Sequence, residues 1–147
     1  MALTFAELPL RSQTIEALHA HGFLAPFAIQ EMVLPIALAD GDVIGQAKTG
    51  TGKTLAFGIP VIERVIAPND VEWESFVKKG LPQVLIVVPT RELCTQVTRD
   101  IEELAENRGI RTLAVYGGRA FEPQIEALQA GVEIVVGTPG RLLDLSR

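Results

Sequence analysis

The chain has 147 residues, of which 48% are hydrophobic, and a formal net charge of −5 at pH 7. This length and composition exclude a disordered chain and are typical of one domain with a buried core. The acidic balance excludes a uniformly basic nucleic-acid coat, although a local binding site remains compatible with it.

Cys94 is the only cysteine, which excludes an internal disulfide and a cysteine-based metal site. No apolar run approaches the roughly 20 residues of a membrane span, and residues 1–10 lack the pattern of a secretory signal. We therefore expect a cytoplasmic protein that does not enter a membrane.

The first third of the chain predicts two helices and a strand. Ser12 is the expected N-cap of a helix that reaches His21, and Gly22 is placed to end it. A second helix is predicted over residues 28–39, with Pro35 as the position of a kink. A turn at residues 40–42 then leads into a short apolar strand at residues 43–46.

A glycine-rich stretch, Ala47-Lys48-Thr49-Gly50-Thr51-Gly52-Lys53-Thr54, follows that strand and precedes an apolar segment with helical spacing. Strand, glycine loop and helix together are the context of a phosphate-binding loop. Glycines allow successive N–H groups to point at one anion, Lys53 can reach the terminal phosphates, and the Thr54 hydroxyl can hold Mg²⁺. The alternative, a glycine turn that caps an ordinary helix, is less favoured because Gly-Lys-Thr is intact.

The remainder alternates strands with helices. A helix follows the glycine loop as far as Ile66, and residues 67–82 are expected to form a surface connection with room for a short helix. Later strands are predicted at residues 84–88, 112–116 and 133–136, the first buried on both faces, and later helices at residues 91–107, 121–130 and 142–147. The helix at 91–107 is expected to bury Leu93, Val97, Ile101 and Leu104. This order predicts an α/β fold with a mainly parallel sheet flanked by helices.

Polar clusters follow each predicted strand. Because ligands bind at the carboxyl ends of parallel strands, we expect these clusters to form one composite site at one sheet edge. The clusters are Ala47–Thr54, Pro89-Thr90-Arg91-Glu92, Gly117-Gly118 and Thr138-Pro139-Gly140-Arg141.

Taken together, these motifs resemble the first RecA-like domain of a DEAD-box ATP-dependent RNA helicase. The segment from Gly22 to Gln30, with Phe5 upstream, resembles the Q motif, and Ala47–Thr54 resembles motif I, which typically begins with alanine. Residues 89–93 resemble motif Ia, Gly117-Gly118 the glycine doublet, and residues 138–142 motif Ib. The resemblance covers nearly the whole chain.

The resemblance implies roles for individual residues. Gln30 is expected to read the adenine edge, and Phe23 or Phe5 to stack on the base, with a helix-capping glutamine and core aromatics as the alternative. The resemblance places ATP on Ala47, Lys48, Thr49, Gly50, Thr51, Gly52, Lys53 and Thr54, with Lys53 and Thr54 catalytic and Mg²⁺ on Thr54. It places RNA phosphates and sugars on Pro89, Thr90, Arg91, Gly117, Gly118, Thr138, Pro139, Gly140 and Arg141, for which turns and helix caps are the alternative reading.

The sequence departs from the family pattern at three places. Phe27 stands where threonine is usual, Lys48 stands where glutamine or serine is common, and the family's Asp-Glu-Ala-Asp motif would lie beyond Arg147. We therefore expect a fragment, truncated before the strand that carries that motif, which binds adenine nucleotide without turnover and self-associates through an exposed sheet edge.

The expected organisation is a Q-motif region at residues 1–40 and a partial RecA-like domain at residues 41–147. Two other functions stay open from the sequence. One is another P-loop enzyme, such as a small-molecule kinase, and the other is a non-catalytic module that binds ATP or RNA.

Overall fold

The structure, a computed structural model, describes residues 4–47 and 52–147. It divides into two compact units. The first consists of Met1–Arg64, as far as these residues are described, with Glu103–Asn107, and the second of Val65–Glu102 with Arg108–Arg147. The predicted boundary at residue 40 separates motif regions rather than these units, and it stays a prediction.

The first unit is helical in its described residues. A 3₁₀ helix at Phe5–Glu7 precedes α1 (Ser12–Ala20), α2 (Ala28–Leu38) and α3 (Lys53–Arg64), which confirms the predicted helices. Apolar side chains with no exposed surface form the core: Phe5, Ala17, Leu18, Leu34, Ile59 and Ile62. Burial of these side chains supplies the main stabilisation of the unit.

Helix α1 begins differently from the prediction. Arg11, in an extended conformation, is the N-cap, and the Ser12 hydroxyl donates to the Gln13 side chain instead of capping the backbone. The start of the helix is fixed by α3, because Thr14 Oγ1 donates to Glu63 Oε1 over 2.6 Å and the Arg11 N–H donates to Glu63 Oε2 over 3.1 Å. Gly22, at φ +84°, follows the end of α1 as predicted.

The predicted strand at residues 43–46 is wrong. These residues form no helix or strand, and Ile44 is fully exposed. A strand persists only where a neighbour completes its hydrogen-bond ladder, and none of the strands among the described residues pairs with this segment. The apolar run alone therefore does not form a strand here.

The second unit is built on a three-stranded parallel sheet, which confirms the α/β class. The strands β1 (Val84–Val87), β2 (Thr112–Val115) and β3 (Ile134–Gly137) lie in the order β1-β3-β2. The register places Ile134 opposite both Val84 and Thr112. Helices α5 (Phe121–Ala130) and α6 (Pro139–Ser146) belong to this unit, together with Arg91–Glu102 of α4 (Arg91–Ala105).

The central strand β3 is buried along its whole length, whereas β1 is not. The expectation that β1 is buried on both faces is wrong, because Leu85 and Val87 are more than half exposed. Beside β3, the core of Val115, Val132 and Val135 is covered by Leu113, Leu128, Leu142 and Leu145. An apolar run therefore predicted the strand correctly but not its position at the edge of the sheet.

Two helices in this part of the chain differ from their predicted faces or bounds. In α4, Cys94 is buried with Val97, Ile101 and Leu104, whereas Leu93 is exposed, because residue 94 keeps the helical spacing with 97 and 101. Helix α6 begins at Pro139 rather than residue 142, since proline is favoured at the first position of a helix. The earlier start places Gly140 and Arg141 in the first turn.

The connection at residues 67–82 contains the anticipated short helix, a 3₁₀ helix at Val71–Ser75. Arg108 is buried beside it and donates to the carboxylate of Asp70 and to the Val65 carbonyl. In the same unit, the Arg111 guanidinium binds the buried Glu133 carboxylate, and these hydrogen bonds raise the pKa of Arg111. Among the described helices, none has the length and hydrophobicity needed to cross a membrane.

Candidate functional sites

The described end of the phosphate-loop sequence is Gly52, which adopts φ +82° directly before α3. Its carbonyl accepts from the Ala56 N–H over 3.3 Å and so begins the helix. Lys53 is exposed and Thr54 half-buried in the first turn of α3, and Ala47 is half-buried before the loop. The predicted ligands Lys48, Thr49, Gly50 and Thr51 lie outside the described residues.

Gln30, on α2, is joined to this glycine. Its amide nitrogen donates to the Gly52 carbonyl over 2.9 Å, and its oxygen accepts from the Phe27 N–H over 3.0 Å. The side chain is 1% exposed. The structure therefore brings the predicted adenine-reading residue and the phosphate loop together, and it also gives Gln30 the helix-capping contact that was the alternative.

The two aromatic residues predicted to stack on a base lie in different surroundings. Phe5 is fully buried, and its N–H donates to the Leu24 carbonyl, so its ring has no exposed surface. Phe23 is half-buried after the end of α1, where its N–H donates to the Leu18 carbonyl. Of these two, only Phe23 presents surface to a ligand in this structure.

The donor chemistry at the start of α3 fits a magnesium ion. Mg²⁺ prefers hard oxygen ligands and keeps several of its waters, and the half-buried Thr54 hydroxyl is such a ligand. Residues 4–47 and 52–147 contain no group of three or more His, Cys, Asp or Glu side chains that could hold a metal.

A second candidate site lies at the carboxyl ends of β1, β2 and β3. Because the three strands are parallel, the segments that follow them meet at one edge of the sheet. Three of the four predicted clusters therefore share an edge, as expected. The fourth cluster, Ala47–Thr54, belongs to the first unit, and its part in a composite site stays a prediction.

After β1, Pro89 and Thr90 are exposed. The Thr90 Oγ1 accepts from the Leu93 N–H over 3.2 Å, which is an N-cap of α4. After β3, Thr138 is the N-cap residue of α6 without a side-chain cap bond, and Pro139 and Gly140 are exposed. The capping alternative therefore holds for Thr90, whereas the Thr138 hydroxyl makes no such bond.

After β2, the glycine doublet is in contact with Arg91, the first residue of α4. Gly118 adopts φ +83°, and Arg91 Nη1 lies 2.6 Å from the position that a Cβ on Gly118 would occupy. Gly117 has open space at the equivalent position and an ordinary φ. Only a glycine at 118 therefore combines this turn with the close approach of the guanidinium.

Arg141, in the first turn of α6, is held by three neighbouring groups. Its Nη1 donates to Gln124 Oε1 over 3.0 Å, and its Nη2 donates to the Arg119 carbonyl over 3.2 Å. The guanidinium carbon lies 5.1 Å from the centre of the Phe121 ring. These contacts orient the half-buried arginine while leaving other N–H groups of its guanidinium for a ligand.

Two residues of this site were missed by the sequence reasoning. Gln124 is buried and binds both Arg141 and the Tyr116 carbonyl, and Arg119 extends over the Tyr116 ring at 5.4 Å. The position of Arg119, directly after the glycine doublet, was a usable signal. Gln124 gave none, because a polar residue in a helix is usually exposed.

The three arginines give this edge a local positive charge on an acidic chain. Arg91, Arg119 and Arg141 come from the segments that follow β1, β2 and β3 respectively. Such a cluster suits phosphate oxygens and sugar hydroxyls rather than base edges. The arrangement can therefore hold a nucleic-acid backbone.

A family model described as DEAD/DEAH box helicase matches residues 27–147. The chain is 42% identical over 143 residues to a DEAD-box ATP-dependent RNA helicase, CshA, of Streptococcus pneumoniae, and this alignment covers 97% of the chain but 25% of that protein.

Solved structures give the same result. A DEAD box protein from Methanococcus jannaschii matches 98% of the chain and 37% of its own, with a TM-score of 0.83 and 40% identity. A hypothetical ATP-dependent RNA helicase from Sulfolobus tokodaii matches 93% of the chain and 36% of its own, with a TM-score of 0.78 and 34% identity. The chain thus spans about a quarter to over a third of the relatives it matches. By its sequence motifs, its parallel α/β sheet and these similarities, the chain belongs to the DEAD/DEAH box helicase family.

Proposed function

We propose that this chain is the N-terminal part of an ATP-dependent RNA helicase and binds both ATP and the backbone of single-stranded RNA. The proposed ATP ligands are Phe23, Gln30, Ala47, Lys48, Thr49, Gly50, Thr51, Gly52, Lys53 and Thr54. The proposed RNA ligands are Pro89, Thr90, Arg91, Gly117, Gly118, Thr138, Pro139, Gly140 and Arg141.

The hydrogen bond from Gln30 to Gly52 supports the nucleotide half of the proposal most strongly. Two motifs 22 residues apart meet at one carbonyl, so a base held near Gln30 and phosphates held at Lys53 can belong to one ligand. An amide offers one further donor and one further acceptor beyond those already used, which suits the edge of adenine. Access to them requires Gln30 to become less buried.

The three-arginine edge of the second unit supports the RNA half. Charge and backbone N–H groups bind phosphates irrespective of sequence, so we expect binding that depends on salt and not on base composition. Arg141 is the best placed of the proposed ligands because its contacts with Gln124 and Arg119 restrict its side chain before RNA arrives.

Hydrolysis and duplex unwinding are proposed for the longer protein, since the chain spans 25% of the CshA relative. Lys53 would position the terminal phosphates and Thr54 would hold Mg²⁺, which when bound neutralises charge on the phosphate oxygens. The CshA relative is named an ATP-dependent RNA helicase, which supports ATP as the nucleotide. We also propose that the protein acts in the cytoplasm.

Nucleotide titration tests the proposal. We expect the chain to bind ATP more tightly than GTP in the presence of Mg²⁺, and Lys53→Ala to weaken ATP binding by more than about tenfold, since a charged contact to phosphate is lost. Lys78→Ala, which removes an exposed lysine of the other unit, is the matched control. Equal affinity of the Lys53→Ala variant and the unchanged chain for ATP would refute the nucleotide half.

We also propose that the chain self-associates through the exposed edge of its sheet that β1 forms. Among the described strands β1 pairs with β3 alone, so its outer edge offers free N–H and C=O groups beside the exposed Leu85 and Val87. Sedimentation velocity should show concentration-dependent dimers that Leu85→Lys removes. Val77→Lys, at an exposed valine outside the strands, should leave the dimers unchanged. Monomers at all concentrations would refute it.

A further inference from the structure

Phe27 occupies an unusual position for an aromatic residue, the N-cap of α2. It has the extended backbone of a cap, with φ −74° and ψ 168°, but its side chain makes no cap hydrogen bond. Helix N-caps favour Ser, Thr, Asp and Asn, whose oxygens accept from the first free N–H groups. The cap contact that is made comes from Gln30, which accepts from the Phe27 N–H. Phenylalanine here is therefore not explained by the stability of the helix.

The Phe27 ring is also not explained by the core. The residue is 55% exposed, whereas Phe5 in the same unit is fully buried. Its Cδ2 atom lies 2.7 Å from the position that a Cβ on Gly52 would occupy, so the ring edge is packed against the backbone of this glycine. An aromatic ring thus stands beside the last glycine of the phosphate loop with much of its surface open to solvent.

We propose that Phe27 is an aromatic wall of the nucleotide site, on which the adenine base stacks. The inference rests on the proposed ATP binding and adds a specificity-determining residue to it. Stacking needs a ring that is both fixed and accessible, and Phe27 is fixed by Gly52 on one side and accessible on the other. Phe5 lacks the second property.

The neighbours of Phe27 favour a base over other apolar ligands. Gln30 lies three residues further along α2, and its amide is bonded to both Phe27 and Gly52. Once Gln30 becomes less buried, a planar ligand on the ring would meet an amide with one free hydrogen and one free lone pair, and its attached phosphates would be directed towards Gly52 and Lys53. A nucleotide with an aromatic base satisfies all three groups.

The test compares ATP with inorganic tripolyphosphate, which has the phosphates without the base. Calorimetric titration of the unchanged chain, Phe27→Thr, Phe27→Leu and Phe27→Tyr separates stacking from phosphate binding. We expect Phe27→Thr and Phe27→Leu to bind ATP about tenfold more weakly, a typical loss for one stacked base, and to bind tripolyphosphate as the unchanged chain does. Phe27→Tyr keeps the ring and should retain ATP affinity.

Met32→Gln is the matched control, because Met32 is an exposed apolar residue on the same helix and should be neutral. Phe27→Thr should also raise the melting temperature, since threonine is a better cap, which separates lost binding from lost folding. If Phe27→Leu binds ATP like the unchanged chain, or if both ligands weaken equally, the inference is wrong while ATP binding stands. If the unchanged chain binds no ATP, the proposed function fails together with it.

Discussion

The amide nitrogen of Gln30 donates to the carbonyl oxygen of Gly52 over 2.9 Å, while the same side chain accepts from the Phe27 N–H. One buried amide therefore connects the start of α2 with the residue that begins α3.

Gln30→Glu should destabilise the chain and weaken ATP binding. Glutamate keeps the acceptor for Phe27 but replaces the donor to Gly52 with an oxygen, and the side chain is buried. A buried carbonyl that faces an acceptor instead of a donor costs about 1–3 kcal/mol, and an uncompensated charge adds to that. Urea unfolding and ATP titration of the same samples measure both effects.

Gln96→Glu is the control for charge, because Gln96 is exposed on α4. It should change the free energy of unfolding by no more than about 0.5 kcal/mol. If Gln30→Glu unfolds at the same urea concentration as this control, the amide does not stabilise the site as described.

Gly118→Ala should lower the stability of the chain and its affinity for RNA much more than Gly117→Ala does. A Cβ at 118 meets Arg91 Nη1 and sits on a backbone with φ +83°, whereas a Cβ at 117 meets nothing within 4 Å. The left-handed conformation alone costs a non-glycine residue about 1–2 kcal/mol. We also expect the Gly118→Ala variant to bind RNA more weakly because Arg91 is displaced.

Thermal unfolding and fluorescence anisotropy with a single-stranded oligouridine check this pair. Equal melting temperatures and equal RNA affinities for the two variants would show that neither the turn nor the position of Arg91 matters.

Gln124 should affect the affinity for RNA only by orienting Arg141. Arg141→Ala removes a phosphate contact, so the slope of log affinity against log salt should become shallower by about 0.7. Gln124→Leu leaves the arginine but removes its 3.0 Å hydrogen bond, and we expect a smaller loss of affinity. The double variant should then bind like Arg141→Ala alone, because the second change has nothing left to orient.

Gln129→Leu, at an exposed position of the same helix, is the control for α5. Additive losses in the double variant would mean that Gln124 affects RNA by some other route.

The stability of the chain should fall at alkaline pH partly because of Cys94. Burial raises the pKa of the Cys94 thiol above its ordinary value of 9.0, so the folded state keeps a proton that the unfolded state releases. This contribution is complete below the unfolded pKa and is lost as the pH rises through the folded pKa. Urea unfolding from about pH 7 to about pH 10 should show a steeper decline than in Cys94→Ala. Parallel curves would contradict the burial effect.

Much of the fold followed from local patterns. The helices and three of the four strands were predicted correctly, because helical spacing and short apolar runs indicate such elements directly. The strand predicted at residues 43–46 was wrong, because a strand forms only beside a partner strand. A short stretch of sequence does not show whether such a partner is present. The burial of Leu85 and Val87 was predicted wrongly for the same reason, since a run of apolar residues does not reveal which strand lies at the edge of a sheet.

The candidate sites divide in the same way. The motifs located Gln30, Lys53 and Arg141, because each stands at a fixed offset from glycine or proline. Gln124 and Phe27 were not predicted as ligands or positioning residues, since their importance depends on contacts with residues that are distant in sequence. The Gln30 contact with Gly52 was likewise beyond any local pattern.

We propose that one chain carries separate ATP and RNA sites. Parallel titrations of Lys53→Ala and Arg141→Ala with ATP and with single-stranded oligouridine test it most directly. We predict that Lys53→Ala loses ATP affinity and keeps RNA affinity, and that Arg141→Ala does the reverse. Loss of both ligands in each variant, or no RNA binding by the unchanged chain at low salt, would contradict it.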